Sequence, residues 1–161
     1  MSDSDKKIEL QASDIIAHVD GYWLRHYAAD FLSAAQAFPS PNGRFSPVRH
    51  YLICHSIELA LKAFLFTAGY NRKDRKKLSH DLVKALNAAE ENGLGEHFQI
   101  TETERQALEK VSRLYQGKEF EYFESLETVY DRHDFDTDVL AELTQRLIEN
   151  VEAPIRASIC E

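Results

Sequence analysis

The chain has 161 residues, of which 43% are hydrophobic and 29% charged, a composition typical of a globular protein that buries about two-thirds of its unfolded surface in one domain. Its net charge of −8 argues against broad, non-specific binding of nucleic acid but leaves room for a local basic site. The two cysteines have no metal-ligand spacing, the start of the sequence is polar, and no apolar run approaches the ~20 residues of a membrane span. We therefore expect a cytoplasmic protein with no disulfide framework and no membrane segment.

Helical periodicity dominates the sequence, and the sustained alternation that marks strands does not appear. After a polar tail over residues 1–12, apolar residues at helical spacing predict a first helix over 13–38, which the loop beginning at Pro39 stops. The second helix is predicted to begin with Ser46 as its N-cap and Pro47 at its first position, where proline leaves no N–H unpaired. This helix is expected to end near Gly69.

A basic loop over residues 72–77 follows the second helix, relieved only by Asp74. Ser79 is then predicted to cap the third helix, with His80 at its first position. Asp81 in the first turn favours the positive end of the helix dipole. Gly93 is a signal for the end of this helix.

The C-terminal third contains two more predicted helices separated by an irregular stretch. Thr101 and Glu104 have the spacing of a capping box, which predicts the start of a fourth helix. Residues 116–135 are aromatic and acidic and are expected to be irregular or partly helical. The last helix is predicted to begin at Asp136 or Thr137 and to stop at Pro154. The sequence thus predicts an all-α bundle of about five helices, with one domain over 13–157 and a short tail over 158–161.

The second helix carries one narrow polar stripe on an otherwise apolar surface. His55, Glu58 and Lys62 stand at i, i+3 and i+7, which places them within roughly 60° of one another around the helix. The simpler interpretation is a salt bridge between Glu58 and Lys62, worth about 0.3–0.5 kcal/mol if exposed. The alternative is the polar floor of a groove, completed by His80 or by a second subunit.

Three ordered segments resemble the HEPN superfamily. The segment 29–35 is similar to its small-residue-rich first helix, the segment 55–62 to its second helix with an E-x-x-x-K pattern, and the segment 79–82 to the H-D-L that opens its third helix. Tyr122 stands where many members carry R-Y-P, although Glu121 and Phe123 replace the other two residues. The resemblance covers residues 24–153 and implies an antiparallel up-and-down bundle, often a homodimer. Members of that family include toxin ribonucleases, partners of nucleotidyltransferases and proteins without known activity.

Catalytic members of that family carry R-x(4–6)-H near the start of a late helix, where the arginine stabilises phosphate charge and the histidine transfers protons. Arg49 and His55 have this spacing but lie about 120° apart around one helix, so they do not converge. Arg75 and His80 have it across a loop and a helix cap, although they precede the third helix instead of the last hairpin. The enzymatic alternative is therefore a metal-independent ribonuclease, of toxin or defence type, with Arg75 and His80 as its catalytic residues.

The favoured hypothesis is a binding or interaction module that recognises a nucleotide or RNA phosphate in a polar groove. The basic loop supports an anionic ligand because it leads into a helix N-terminus, although a solvated loop, or pairing with the acidic 119–138 segment of a second subunit, is the alternative. The predicted ligand-binding residues are His55, Glu58, Lys62, His80, Arg72, Arg75, Lys76 and Lys77.

A third hypothesis is a non-catalytic protein partner that uses the acidic aromatic segment 120–130. The sequence has no recognisable metal-ligand spacing and no glycine-rich phosphate loop, so we expect neither a metal nor a cofactor.

Overall fold

The computed structural model describes residues 20–39, 45–121 and 135–159. Over these residues the chain forms helices and no strand, which confirms the predicted all-α class. The helices are α1 (Asp20–Ala37), α2 (Pro47–Thr67), α3 (Arg72–Lys77), α4 (Leu82–Glu91), α5 (Glu102–Gln116), α6 (Thr137–Asn150) and α7 (Glu152–Ile159), with a single 3-10 turn at Leu94–Glu96. The predicted N-terminal tail over 1–12, the first seven residues of the predicted first helix and most of the aromatic acidic stretch, including Tyr122, lie outside the described residues.

Helix α2 is the centre of the bundle, and α1, α4, α5, α6 and α7 all pack against it. Its neighbour α1 runs antiparallel to it, since the Ser56 hydroxyl donates a hydrogen bond to the Ala28 carbonyl at 2.6 Å, while Gly21, at the start of α1, lies against the end of α2. A Cβ atom at Gly21 would stand 3.0 Å from the Phe66 ring and 3.4 Å from the Ala63 carbonyl. Glycine therefore allows the two helices to approach closely at this point.

Helices α4, α5 and α6 form a second layer that closes over α2. The Leu82 amide, at the start of α4, donates to the Ser112 hydroxyl near the end of α5 at 3.1 Å. An ion pair between Arg146 and Glu104 joins α6 to α5. These contacts seat the buried ring of Tyr115, near the end of α5, against the middle of α2.

The sequence signals that depend on a few adjacent residues are confirmed. Ser46 caps α2 by accepting a hydrogen bond from the Arg49 amide, with Pro47 at the first helical position. Thr101 and Glu104 form the predicted capping box of α5. Asp136 caps α6. Each of these interactions satisfies an N–H group that the helix itself leaves unpaired.

The prediction that Ser79 caps the third helix is wrong. Asp81 is the N-cap of α4, and its carboxylate accepts from the Lys84 amide. Ser79 instead has a φ of +52°, and His80 precedes the cap rather than opening the helix. A carboxylate that reaches an amide three residues ahead is as good an N-cap as a hydroxyl, so Asp81, which the sequence predicts in the first turn, caps the helix instead of Ser79.

Two further boundaries differ from the prediction. The basic loop over 72–77 is the short helix α3, because the Asn71 side chain accepts hydrogen bonds from the Lys73 and Asp74 amides and starts a helical turn. Pro154 does not end the last helix: α6 already ends at Asn150, and Pro154 lies in the first turn of α7, where a missing N–H costs no hydrogen bond.

No helix in the described part of the chain is long and apolar enough to cross a bilayer.

Candidate functional site

The buried carboxylate of Glu58 is the centre of the polar cluster on α2. Glu58 is only 5% exposed. Its Oε1 accepts a hydrogen bond from Lys62 Nζ at 2.5 Å, and its Oε2 accepts from the Tyr115 hydroxyl at 2.5 Å and from His80 Nδ1 at 3.0 Å. The carboxylate is therefore satisfied by donors from α2, from α5 and from the turn between α3 and α4.

The turn that carries His80 is held in place by the same lysine. Lys62 Nζ donates a second hydrogen bond to the Ser79 carbonyl at 2.9 Å. Ser79 has a left-handed backbone conformation, which non-glycine residues adopt at a cost of about 1 kcal/mol or more. Lys62 thus fixes a strained turn in the position from which the imidazole of the next residue reaches Glu58.

The network keeps Glu58 charged and Tyr115 protonated. Burial alone would raise the pKa of Glu58, but the nearby His55 ring, whose Nδ1 lies 3.7 Å from Oε2, and the hydrogen bonds from Lys62 and Tyr115 outweigh burial and hold the pKa below its ordinary value of 4.5. Burial and the adjacent Glu58 charge raise the pKa of the Tyr115 phenol. At neutral pH, Glu58 is therefore an acceptor and the Tyr115 O–H a donor.

These two assignments fix the protons on both histidines. Because the Tyr115 O–H donates to Glu58, its oxygen accepts a hydrogen bond from His55 Nδ1, which lies 2.9 Å away. His80 Nδ1 likewise donates to the carboxylate, which cannot itself donate. Both rings thus carry hydrogen on Nδ1, and over the described residues neither Nε2 atom has a hydrogen-bond partner. The side chains of His55 and His80 are 23% and 38% exposed.

Aromatic side chains position the His55 ring. Tyr51, one turn earlier on α2, lies nearly parallel to it, with ring centroids 5.7 Å apart and an interplanar angle of 7°. Phe31 of α1 meets the imidazole edge-on at 4.5 Å. His80 in turn lies edge-on to Tyr115 at 5.5 Å. The two imidazoles are held by ring contacts as well as by hydrogen bonds, so their Nε2 atoms are preorganised.

Five of the partly exposed residues of α2 line up on one side of the helix. They recur with spacings of three and four residues, while most of the helix is buried, so they form the open face of α2. These residues are Leu52, His55, Leu59, Lys62 and Phe66. The polar cluster therefore opens onto a strip with apolar side chains on both sides of it.

The structure brings four of the eight predicted ligand-binding residues together, namely His55, Glu58, Lys62 and His80. Arg72, Lys76 and Lys77 are exposed on α3. Arg75 is buried, donates a hydrogen bond to the Tyr70 carbonyl at 2.7 Å and lies over the Phe66 ring at 4.9 Å. Among the described residues, Arg75 contacts Tyr70 and Phe66, whereas His80 contacts Glu58.

Tyr115 is a site residue that the sequence does not reveal. It is separated from Glu58 by 57 residues, so no spacing along the chain relates the two. A buried tyrosine nevertheless requires a partner for its hydroxyl, and this requirement was the one available signal.

Among the described residues, the cluster is neither an arrangement that holds a metal ion nor part of the open depression along α4. Over the described ranges, no group of three or more histidine, cysteine, aspartate or glutamate residues is arranged to hold a metal ion. An open depression of about 430 Å³ lies elsewhere, along α4 and beside Tyr70 and Leu78, and no residue of the cluster lines it. The polar cluster therefore remains the candidate site on the basis of its chemistry rather than its volume.

Comparisons with family models, with curated proteins and with solved structures find no match to this chain.

Proposed function

We propose that this chain is a HEPN-like module that binds a phosphate group, as part of a nucleotide or of RNA, at the cluster of His55, Glu58, Lys62, His80 and Tyr115. The observation that carries the proposal is a pair of imidazoles, those of His55 and His80. Their Nδ1 atoms make hydrogen bonds within the cluster, whereas their Nε2 atoms make none with the described residues. The antiparallel order of α1 and α2, and the position of the 79–82 segment beside the E-x-x-x-K helix, support the resemblance to that family.

The charges of the cluster do not oppose an anion. Lys62 neutralises Glu58 through a direct ion pair, so the two imidazoles stand beside a pair with no net charge. An imidazolium ring donates through both of its nitrogens, and charge-assisted hydrogen bonds of this kind to phosphate oxygens are about twice as strong as neutral ones. The exposed cations of α3 raise the local concentration of anions near the site.

Thermal denaturation with inorganic phosphate, a mononucleotide and a short RNA tests the proposal. We expect saturable stabilisation, which for a ligand at 100 times its Kd amounts to about 2.7 kcal/mol. His80→Gln and His55→Gln should abolish it, whereas His97→Gln, which changes an exposed histidine outside the cluster, should not. An equal response in His80→Gln and in the unmodified protein would refute the assignment.

The ribonuclease remains a second candidate, because a carboxylate hydrogen-bonded to an imidazole is the arrangement that orients a general acid or base. Glu58 and His80 form such a pair. This candidate predicts RNA cleavage that survives chelation of metals and disappears in His80→Ala. Arg75→Lys should also impair cleavage without unfolding the protein if Arg75 contacts the phosphate.

The homodimer implied by the family resemblance is also a proposal. Light scattering of the purified chain across a range of concentrations measures its mass directly. A mass of one chain at every concentration would show that no second subunit completes the groove.

A further inference from the structure

A cluster of aromatic rings lies on the outer side of the first two turns of α1. Trp23 and Tyr27 are 51% and 53% exposed, with ring centroids 6.3 Å apart and an interplanar angle of 34°. His26 lies beside both Trp23 and Tyr22, at 6.1 and 4.2 Å. Neighbouring aromatic side chains that are exposed together are typical of a surface that meets a ligand or a partner.

This cluster is connected to the proposed phosphate site through α1. Phe31 follows Tyr27 by one helical turn and Trp23 by two, distances of about 6 and 12 Å along the axis. Phe31 in turn contacts the His55 ring edge-on at 4.5 Å. The exposed rings and the histidine cluster are therefore neighbouring parts of one surface, at the side of α2 that faces α1.

We propose that Trp23 and Tyr27 are a stacking platform for nucleic-acid bases, and that the ligand of the histidine cluster is a single-stranded oligonucleotide rather than a free nucleotide. This inference rests on the proposed phosphate site. A stacked strand advances about 3.4 Å per nucleotide, so a ligand that reaches Trp23 from the cluster spans roughly three or four nucleotides. Bases of any sequence stack on exposed aromatic rings, which makes such platforms tolerant of sequence.

The composition of α1 favours this occupant over a second copy of the chain. The next turn of the same face carries Asp30 and Ala34, both exposed, so the pair of exposed rings does not continue along this face. A stable dimer interface needs about 800 Å² from each partner around a fully buried apolar core, which two rings beside a carboxylate do not supply. Asp30 also repels phosphates, and this repulsion directs a bound strand from Tyr27 toward His55 instead of along α1.

The protein provides its own probe, because Trp23 is the one tryptophan in the sequence. A uridine hexanucleotide at low salt should quench the Trp23 fluorescence with a saturable curve, whereas uridine monophosphate and inorganic phosphate should not. Binding of the labelled hexanucleotide, measured by anisotropy, should weaken by about five- to 150-fold in Trp23→Leu and again in Tyr27→Leu. Phe38→Leu, which changes another exposed ring just past the end of α1 and about 22 Å from Trp23 along the helix axis, should leave binding within twofold.

The outcomes separate this inference from the phosphate site itself. If phosphate and the hexanucleotide both bind but Trp23→Leu and Tyr27→Leu bind the hexanucleotide as tightly as the unmodified protein, the platform is refuted and the phosphate site stands. If hexanucleotide binding depends on Trp23 and persists in His80→Gln, the platform stands and the phosphate site fails. Trp23 fluorescence that depends on protein concentration without RNA, together with a dimeric mass, would refute the platform in favour of a subunit contact.

Discussion

Replacing Glu58 with glutamine measures whether the α2 stripe is a surface salt bridge or a buried network. An exposed pair at this spacing is worth about 0.3–0.5 kcal/mol, whereas removing one partner of a buried, hydrogen-bonded pair costs about 3–5 kcal/mol. The side chains of Glu58 and Lys62 are 6% and 14% exposed, and the amide still accepts from Tyr115. We therefore expect Glu58→Gln to lower the free energy of unfolding by about 3 kcal/mol, at the lower end of that range.

Urea denaturation at pH 7, followed by circular dichroism and tryptophan fluorescence, gives this free energy. Glu90→Gln is the matched control, because Glu90 pairs with Arg105 between α4 and α5 but is more exposed, and its loss should cost less than about 1 kcal/mol. Adding Lys62→Met to Glu58→Gln should recover part of the loss, since no unpaired ammonium is then left. A cost for Glu58→Gln as small as that of Glu90→Gln would refute the buried network.

Three further predictions concern pH, thiol reactivity and backbone geometry. Burial lowers the pKa of His50 from 6.5, so the unfolded chain takes up a proton that the folded chain resists, and the free energy of unfolding should fall as the pH falls below about 6.5. In His50→Gln the urea midpoint should depend less on pH in that range. The loss of stability due to Glu58 begins at lower pH, below the ordinary pKa of 4.5 of its carboxyl group. Cys54 is fully buried and burial raises its pKa, so in a Cys160→Ser variant a thiol reagent should label the protein only at the rate of unfolding. Gly93 has a φ of +93°, so Gly93→Ala should lower the urea midpoint by an amount equivalent to about 1 kcal/mol.

The helix ends that the sequence predicts correctly are set by adjacent residues. Ser46 with Pro47, and Thr101 with Glu104, each satisfy amides within three residues, so the signal and the interaction lie in the same short segment. Ser79 has the right chemistry for such a cap but is not used, because Asp81 offers a carboxylate two residues later. Local chemistry ranks candidate caps, and tertiary contacts such as that between Lys62 and the Ser79 carbonyl decide which of them is used.

The sequence predicts the part of the site that lies on α2 and in the turn that follows α3. Periodicity alone brings His55, Glu58 and Lys62 to one side of α2, and the proximity of His80 was proposed as the completion of that stripe. Burial of Glu58 and the role of Tyr115 depend on how α5 docks on α2, which no short-range pattern encodes. The exposure of Trp23 was equally hidden, because an aromatic residue at helical spacing is most often part of a core.

The buried network also allows stability and binding to be separated in one variant. Buried ion pairs can often be replaced by apolar side chains of similar volume with no loss of stability. We therefore expect the triple variant Glu58→Leu, Lys62→Met, Tyr115→Phe to unfold within about 1 kcal/mol of the unmodified protein, despite the cost of Glu58→Gln alone. The same variant should lose all stabilisation by phosphate, because His55 and His80 then have no acceptor to fix their rings. Such an exchange of function for stability is expected at a binding site and not at a purely structural one. A triple variant that is stable and still responds to phosphate would show that the ligand binds elsewhere.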